Sequence, residues 1–144
     1  MEDALIENQE LNLTLKELKI FKYPEKSSSV YDKLNEKEKI IFLSGVFDGE
    51  GSFGIWSKLK TKKYFACSVE MTDKDMVKRF HDFFGGAFYL CKRRKEHHKD
   101  TWRWRVNGKG ALNTIDKMID YLSKRRKEKF KHVVKCLKIR IERS

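Results

Sequence analysis

Two carboxylates around residue 50 are the side chains best suited to catalysis. Asp48 and Glu50 alternate with Gly49 and Gly51, and the four residues follow a short apolar run. Carboxylates with backbone carbonyls nearby are the ligands that a hard divalent cation such as Mg²⁺ prefers. The residues therefore allow a metal site here, and they equally allow a glycine turn that ends a helix and leaves both acids in solvent.

The element that must position these carboxylates is the apolar run before them. Asn35 is a good N-cap, so the sequence predicts a helix over about residues 36–47. At the end of that helix the two acids meet the negative end of the helix dipole, which disfavours an anion by about 0.3–1 kcal/mol. The small residues Ser44 and Gly45 on the helix surface would let a second helix approach closely.

Strand patterns follow in two pairs, each with apolar residues at every second position. The sequence predicts hairpins over residues 52–71 and 88–107, a helix between them that ends at Gly85-Gly86, and two closing helices over about 110–122 and 126–143. The side chains predicted to face the helices are Phe53, Ile55, Leu59, Phe65, Cys67, Val69, Met71, Phe88, Leu90, Trp102, Trp104 and Val106. Two such hairpins can form one sheet with helices on one face, which leaves the other face open.

The positive charge of the chain is concentrated in its second part. Lys and Arg number 33 against 21 Asp and Glu, which gives a net charge of +12. Residues 1–50 carry 7 basic and 11 acidic side chains, whereas residues 51–144 carry 26 and 10. A field of this sign attracts polyanions, of which nucleic acid is the commonest. The alternative is an ordinary protein surface with surplus lysine.

Several protein classes are excluded by the sequence. No stretch approaches the roughly 18 consecutive apolar residues of a membrane span, and the start Met1-Glu2-Asp3 lacks the basic residues of a signal or transit peptide. Cys67, Cys91 and Cys136 are far apart and form no Cys-x-x-Cys pair, so neither a disulfide framework nor a zinc finger is indicated. We expect a protein that is not secreted and that works in a phage-infected or bacterial cytoplasm or in an organelle matrix.

The segment from Leu43 to Gly51 resembles the LAGLIDADG motif of homing endonucleases, in the variant that ends in Asp-Gly-Glu-Gly. Leu43, Gly45, Asp48 and Gly51 match the motif, and the predicted order of helices and strands is the order of that family. The resemblance covers about residues 36–143. It implies an α+β fold of αββαββα order, with a saddle-shaped antiparallel sheet and helices on one face.

The resemblance also implies roles for individual residues. Glu50, the last acid of the motif, would bind the catalytic metal with the carbonyl of Gly49, the metal being Mg²⁺ with Mn²⁺ as a substitute. Asp73 falls where the family holds the attacking water, but it can instead bind metal or cap the next helix. Arg125, or else Lys124, lies where relatives carry a basic residue that stabilises the transition state. Phosphate contact or plain exposure is the alternative for this basic run.

The open sheet face would lie along the major groove of DNA. The residues implied to contact DNA, on the sheet and at the hairpin tips, are Trp56, Lys58, Lys60, Tyr64, Ser68, Glu70, Tyr89, Lys92, Arg93, Arg103 and Arg105. On this face an arginine can read guanine with two hydrogen bonds, and a glutamate can accept one from cytosine.

A single motif implies a homodimer, because relatives that act as monomers carry two. The residues implied at the dimer interface are Leu43, Ser44, Gly45, Phe47 and Asp48. The resulting hypothesis is an intron- or intein-associated double-strand DNA endonuclease that acts on a near-palindromic site. An RNA maturase and a non-cleaving DNA-binding regulator of the same fold are the alternatives. The predicted domains are a helical leader with its linker over residues 1–30 and the endonuclease domain over residues 31–144.

Overall fold

The chain divides into two units, Met1–Lys33 and Leu34–Ser144. The computed structural model describes residues 30–58, 62–92 and 95–143. Within these ranges, the side chains of Lys58 and of residues 139–143 are not described. The described part of the first unit is a 3₁₀ turn over Val30–Lys33. The predicted leader over residues 1–30 therefore lies almost entirely outside the described residues, and the predicted domain division stays a prediction.

The second unit alternates helices with pairs of strands. Its helices and strands are, in chain order, α1 (Glu36–Glu50), β1 (Gly51–Lys58), β2 (Lys62–Met71), α2 (Lys74–Phe84), β3 (Ala87–Cys91), β4 (Thr101–Asn107), α3 (Gly108–Met118) and α4 (Lys124–Arg143). A 3₁₀ turn over Ile119–Tyr121 lies between the last two helices. This order confirms the predicted α+β fold.

The four strands form one antiparallel sheet in the order β1-β2-β4-β3. Phe53 lies opposite Cys67, Val69 lies opposite Trp104, and Trp104 lies opposite Phe88. Residues that are directly opposite share a face of a sheet, so these apolar side chains all point to one side. The predicted alternation is confirmed along the described strands, while Leu59 lies outside the described residues.

Aromatic contacts attach the helices to this face. The ring centroid of Trp104 lies 5.0 Å from that of Phe80 on α2, and its indole N–H donates to the Gly85 carbonyl at 2.7 Å. Phe53 of β1 stacks on Phe47 of α1, with centroids 6.2 Å apart. Among the described helices, all lie on this side of the sheet, and none covers the face that carries the polar and basic side chains.

The helix bounds differ from the prediction at both functional ends. Helix α1 continues to Glu50 rather than ending near Phe47, because contacts described below neutralise the acid that disfavours its last turn. Helix α4 begins at Lys124 rather than Arg126, so the basic run forms its first turn. Within the described residues, no helix is long and apolar enough to cross a membrane.

Candidate active site and nucleic-acid interface

Glu50 is the last residue of α1, and its carboxylate is exposed. The N–H of Gly51 donates to the carbonyl of Phe47, and the carbonyls that follow, including that of Gly49, have no partner within the helix. Among the described residues, none donates a hydrogen bond to the Glu50 carboxylate or forms an ion pair with it. Its oxygens are therefore available to an outside ligand, at the helix end where the dipole favours a cation.

Asp48 lies on the opposite side of α1, half-buried, and is held by contacts within the chain. Its Oδ1 accepts a hydrogen bond of 3.0 Å from the backbone N–H of Ser123 and lies 3.5 Å from Nε of Arg126. These contacts offset the unfavourable helix dipole and tie α1 to the start of α4. These contacts lie within one chain, and the prediction that Asp48 also contacts a second subunit stays a prediction.

Arg126 is the residue of the basic run that turns toward the motif helix. Its side chain is only 14% exposed, and its guanidinium lies 5.5 Å above the ring of Phe47. Partial burial lowers the pKa of Arg126, and the charge of the Asp48 carboxylate offsets part of this decrease. The two residues predicted to stabilise the transition state are exposed. Arg125 faces solvent, and Lys124 lies 3.9 Å from Glu128 on the same helix.

Lys129 is a further cation at this end of the sheet, and sequence reasoning missed it. Its Nζ donates to the backbone carbonyl of Phe53 at 2.6 Å and lies 4.8 Å from the centroid of the Phe53 ring. Burial, together with the charges of Arg126 and Arg125, lowers the pKa of Lys129. The available signal was its position three residues after Arg126 and four after Arg125, because residues three and four apart share one face of a helix.

Asp73 is the N-cap of α2. Its Oδ1 accepts a hydrogen bond of 3.2 Å from the N–H of Met76, so the capping role that the sequence allowed is confirmed. Gly51, the first residue of β1, lies opposite Val69 near the end of β2. The end of β2 that leads to Asp73 therefore lies at the same end of the strands as Glu50. A catalytic role for Asp73 stays a prediction.

Arg103 lies at the centre of the open face, between residues of two neighbouring strands. Its Nη2 donates to Oε1 of Glu70, directly opposite on β2, at 3.1 Å, and the same oxygen accepts from Thr101 at 3.0 Å. A hydrogen bond with Tyr89, opposite on β3, together with the charge of Glu70, raises the pKa of Arg103. Glu70, predicted to accept from a cytosine, is thus already engaged within the protein.

Arg105 has neutral neighbours instead. Its Nη2 donates to the hydroxyl of Tyr64 at 3.0 Å, and its Nε donates to Oδ1 of Asn107 at 3.1 Å. Its guanidinium lies 5.4 Å from the ring of Trp56 and 5.7 Å from that of Tyr64. Ser68 lies opposite Arg105 on β2. The structure thus brings these predicted DNA contacts together on one face.

A pocket of about 500 Å³ lies on the open face near the tip of the second hairpin. The residues that line it are Glu70, Cys91, Lys92, Lys95, His98, Lys99, Thr101 and Arg103. Three lysines surround the single carboxylate, so the pocket attracts anions. Of the predicted DNA contacts, Lys60, Arg93 and the side chain of Lys58 lie outside the described residues.

Three of the five residues predicted at the dimer interface lie in the core. The side chains of Leu43, Ser44 and Phe47 are fully buried in the core of one chain, so they have no surface to offer to another copy. The Ser44 hydroxyl donates to the carbonyl of Ile40 at 2.6 Å within the helix. Phe47 attaches α1 to its own sheet through Phe53, and of the five predicted interface residues only Gly45 is exposed.

Comparison with known proteins gives a family and a fold. The sequence model described as LAGLIDADG endonuclease matches residues 43–139, more than half of the chain. No curated protein matches the sequence. The structure of the LAGLIDADG meganuclease I-AabMI bound to uncleaved DNA is 18% identical, with a TM-score of 0.55 over 76% of this chain and 38% of that one.

Two structures of the homing endonuclease I-CvuI, one with its own target and one with the I-CreI target, are also 18% identical, with TM-scores of 0.49 and 0.47. Each likeness covers 61% of this chain and 59% of the I-CvuI chain. The protein thus spans less than two thirds of the length of these relatives. On the family match and the shared fold, the chain belongs to the LAGLIDADG endonuclease family.

Proposed function

We propose that this protein is a site-specific DNA endonuclease that hydrolyses phosphodiesters with a divalent metal and cuts both strands as a homodimer. The observation that carries the proposal is the exposed carboxylate of Glu50 at the end of the motif helix, which has no partner within the part of the chain that the structure describes. The open sheet face, with its two anchored arginines, supplies the DNA surface. I-AabMI is bound to DNA in its structure, which supports DNA as the partner.

The residues at the end of α1 fit a magnesium ion. Within the described residues, no group of three His, Cys, Asp or Glu side chains could hold a metal. Mg²⁺ does not require such a cage, since it keeps several waters and binds through one or two carboxylates plus substrate phosphates. Glu50 and the carbonyl of Gly49 would hold it. A bound ion would lower the pKa of a coordinated water and polarise the phosphoryl oxygens.

The cations near the motif would act on the phosphate. Arg126 and Lys129 are held by Asp48 and by the Phe53 carbonyl, so their positive charges are fixed before DNA binds. Fixed charges in a partly buried site stabilise developing negative charge without reorganising. Exposed Arg125 can then contact a neighbouring phosphate. In this proposal Glu50 holds the metal, and these cations stabilise the negative charge that develops on the phosphate.

The exposed side of α1 supports the homodimer. Ile41 and Phe42 are 44% and 36% exposed, and a methyl group added at Gly45 or Gly49 would have no neighbour within 4 Å. Glycines four residues apart let helix backbones approach closely. A twofold axis along this surface would bring the two Glu50 residues near each other, one for each DNA strand, and would favour a near-palindromic site.

The test is a selection for cleavage from duplex DNA that carries randomised inverted repeats, with Mg²⁺ or Mn²⁺ present. We expect the wild-type protein to recover a defined site and Glu50→Gln to bind that site within about threefold but to lose cleavage by a factor of about 10³ or more. The carboxamide keeps the size of the side chain and removes the anionic ligand. Chelation of the metal should abolish cleavage by the wild-type protein in the same way.

Asp116→Asn is the matched control, because Asp116 is an exposed acid on α3. It should cut normally. Cleavage by Glu50→Gln at the wild-type rate would refute the metal assignment. Specific duplex binding without cutting under any metal condition would identify a non-cleaving regulator, and preference for structured RNA over duplex DNA would identify a maturase.

A further inference from the structure

The two arginines on the outer face of β4 are anchored in different ways. Arg103 is held by the negative charge of Glu70 across β2 and by Tyr89 across β3. Among the residues described, those that hydrogen-bond to Arg105 do so through neutral groups, the hydroxyl of Tyr64 and the amide oxygen of Asn107. Each arginine uses part of its five N–H donors on these anchors, and the remaining donors are available on the open face.

The anchors favour a role in base reading over a role in phosphate binding. Both arginines lie on a central strand of the sheet, whereas the lysines that line the pocket lie near the tip of the second hairpin. An arginine whose rotamer is already restrained loses less entropy when it binds, and its planar fork matches the O6 and N7 acceptors of guanine. Phosphate contacts fall instead to Lys92, Lys95 and Lys99, which line the pocket.

The Glu70 carboxylate is already bound within the protein. Its Oε1 accepts hydrogen bonds from both Thr101 and Arg103, so one oxygen of the carboxylate is occupied by the protein. An acid on a DNA-binding surface repels phosphate, and its placement opposite an arginine is explained if it orients that arginine. Thr101 fixes the carboxylate from the same strand that carries Arg103, which gives the pair a defined direction.

The separation of the two arginines sets the spacing of the bases. They are two residues apart on one strand, which corresponds to about 6.6–6.8 Å. Arg103 bonds directly across the sheet to Glu70, while Arg105 leans toward Tyr64, four residues beyond its own opposite residue Ser68. The guanidinium groups are therefore at least as far apart as the backbone positions. At 3.4 Å per base pair, adjacent base pairs are too close together for both arginines.

We propose that Glu70 is a positioning residue that holds Arg103 to read one guanine in each half-site, and that Arg105 reads a second guanine at least two base-pair steps away. This inference rests on the proposed DNA-binding function. It names the bases, the spacing and the residue that tunes one of the two contacts, none of which follows from membership of the family.

The experiment measures binding of the full chain to a duplex library in which each half-site is randomised, in Ca²⁺ so that cleavage does not interfere. Arg103→Lys should lower the preference for guanine at one position by about 5- to 150-fold, and Arg105→Lys should do so at the other. Lysine keeps the charge and removes the fork. Glu70→Gln should weaken the first preference by about three- to tenfold and leave the second unchanged.

Lys95→Gln is the control for phosphate contact, and it should weaken all sequences equally and reduce the salt dependence. Thermal melting of each variant checks that the fold is intact. The inference is overturned if Arg103→Lys weakens all sequences equally, if Glu70→Gln affects both positions alike, or if the two guanines are adjacent. A wild-type protein that selects no duplex at all overturns the proposed function instead, so the two failures are distinguishable.

Discussion

The two faces of β4 carry opposite kinds of side chain on alternate residues. Trp104 is fully buried against α2, while Arg103 and Arg105, directly before and after it, lie on the open face. One strand thus supplies both the core and the proposed DNA surface, because side chains point alternately to the two faces. Substitutions one residue apart on this strand should therefore have separate consequences, with folding affected on one face and binding on the other.

The sharpest test of this separation is Trp104→Ala. It removes a buried indole and leaves the Gly85 carbonyl without its 2.7 Å donor. We expect the free energy of unfolding to fall by about 3–5 kcal/mol, measured by denaturant titration. Arg103→Ala on the opposite face is the control, and it should cost about 1 kcal/mol or less. Equal losses from the two variants would contradict the separation of the faces.

The sheet could be predicted closely from the sequence because its signal is simple. Alternation with a period of two assigns every residue of a strand to one of two faces, so Trp104 inside implies Arg103 and Arg105 outside. What the pattern cannot provide is the partner of each outer residue, which depends on strand order. β2 lies beside β4 rather than beside β3, and only this order places Glu70 against Arg103.

The same contrast between faces occurs on α1, and Leu43 and Gly45 test it. Leu43 is fully buried, so Leu43→Ala should lower the free energy of unfolding by about 2–5 kcal/mol. Gly45 has open space around it, so Gly45→Leu should leave each chain folded but disrupt the proposed dimer. Sedimentation would show a monomer for Gly45→Leu and a dimer for the wild type. A dimeric Gly45→Leu would show that subunits pair through another surface.

The sequence could not assign the faces of α1, because this helix is apolar over most of its circumference. Ile40, Ile41, Leu43, Val46 and Phe47 leave no polar side that would show which residues meet the sheet. The predicted interface therefore included residues that belong to the core.

The directions of the cations of α4 were hidden from the sequence for a similar reason. Successive helical residues differ by about 100° in direction, so a shift of one position separates buried Arg126 from exposed Arg125. The contact with Asp48 that decides the direction joins residues 78 positions apart, a pairing that no local pattern indicates.

The smallest effect belongs to the open face and concerns the pH dependence of Glu70. Partial burial alone would raise the pKa of this carboxyl, but hydrogen bonds from Thr101 and Cys91 and the charge of Arg103 together lower it from its ordinary value of 4.5. A carboxyl with a lowered pKa in the folded state stabilises the fold above the unfolded-state pKa, and this contribution is lost as the pH falls through the folded-state pKa.

Glu70 and Arg103 are 40% and 35% exposed, and an exposed pair contributes about 0.2–1 kcal/mol. We therefore expect a small decrease in the free energy of unfolding below about pH 4.5, and Glu70→Gln should remove this part of the decrease. An NMR titration of the Glu70 carboxyl measures the pKa directly. A value at or above 4.5 would mean that Arg103 does not hold Glu70 in solution, and it would weaken the case that this acid orients the arginine.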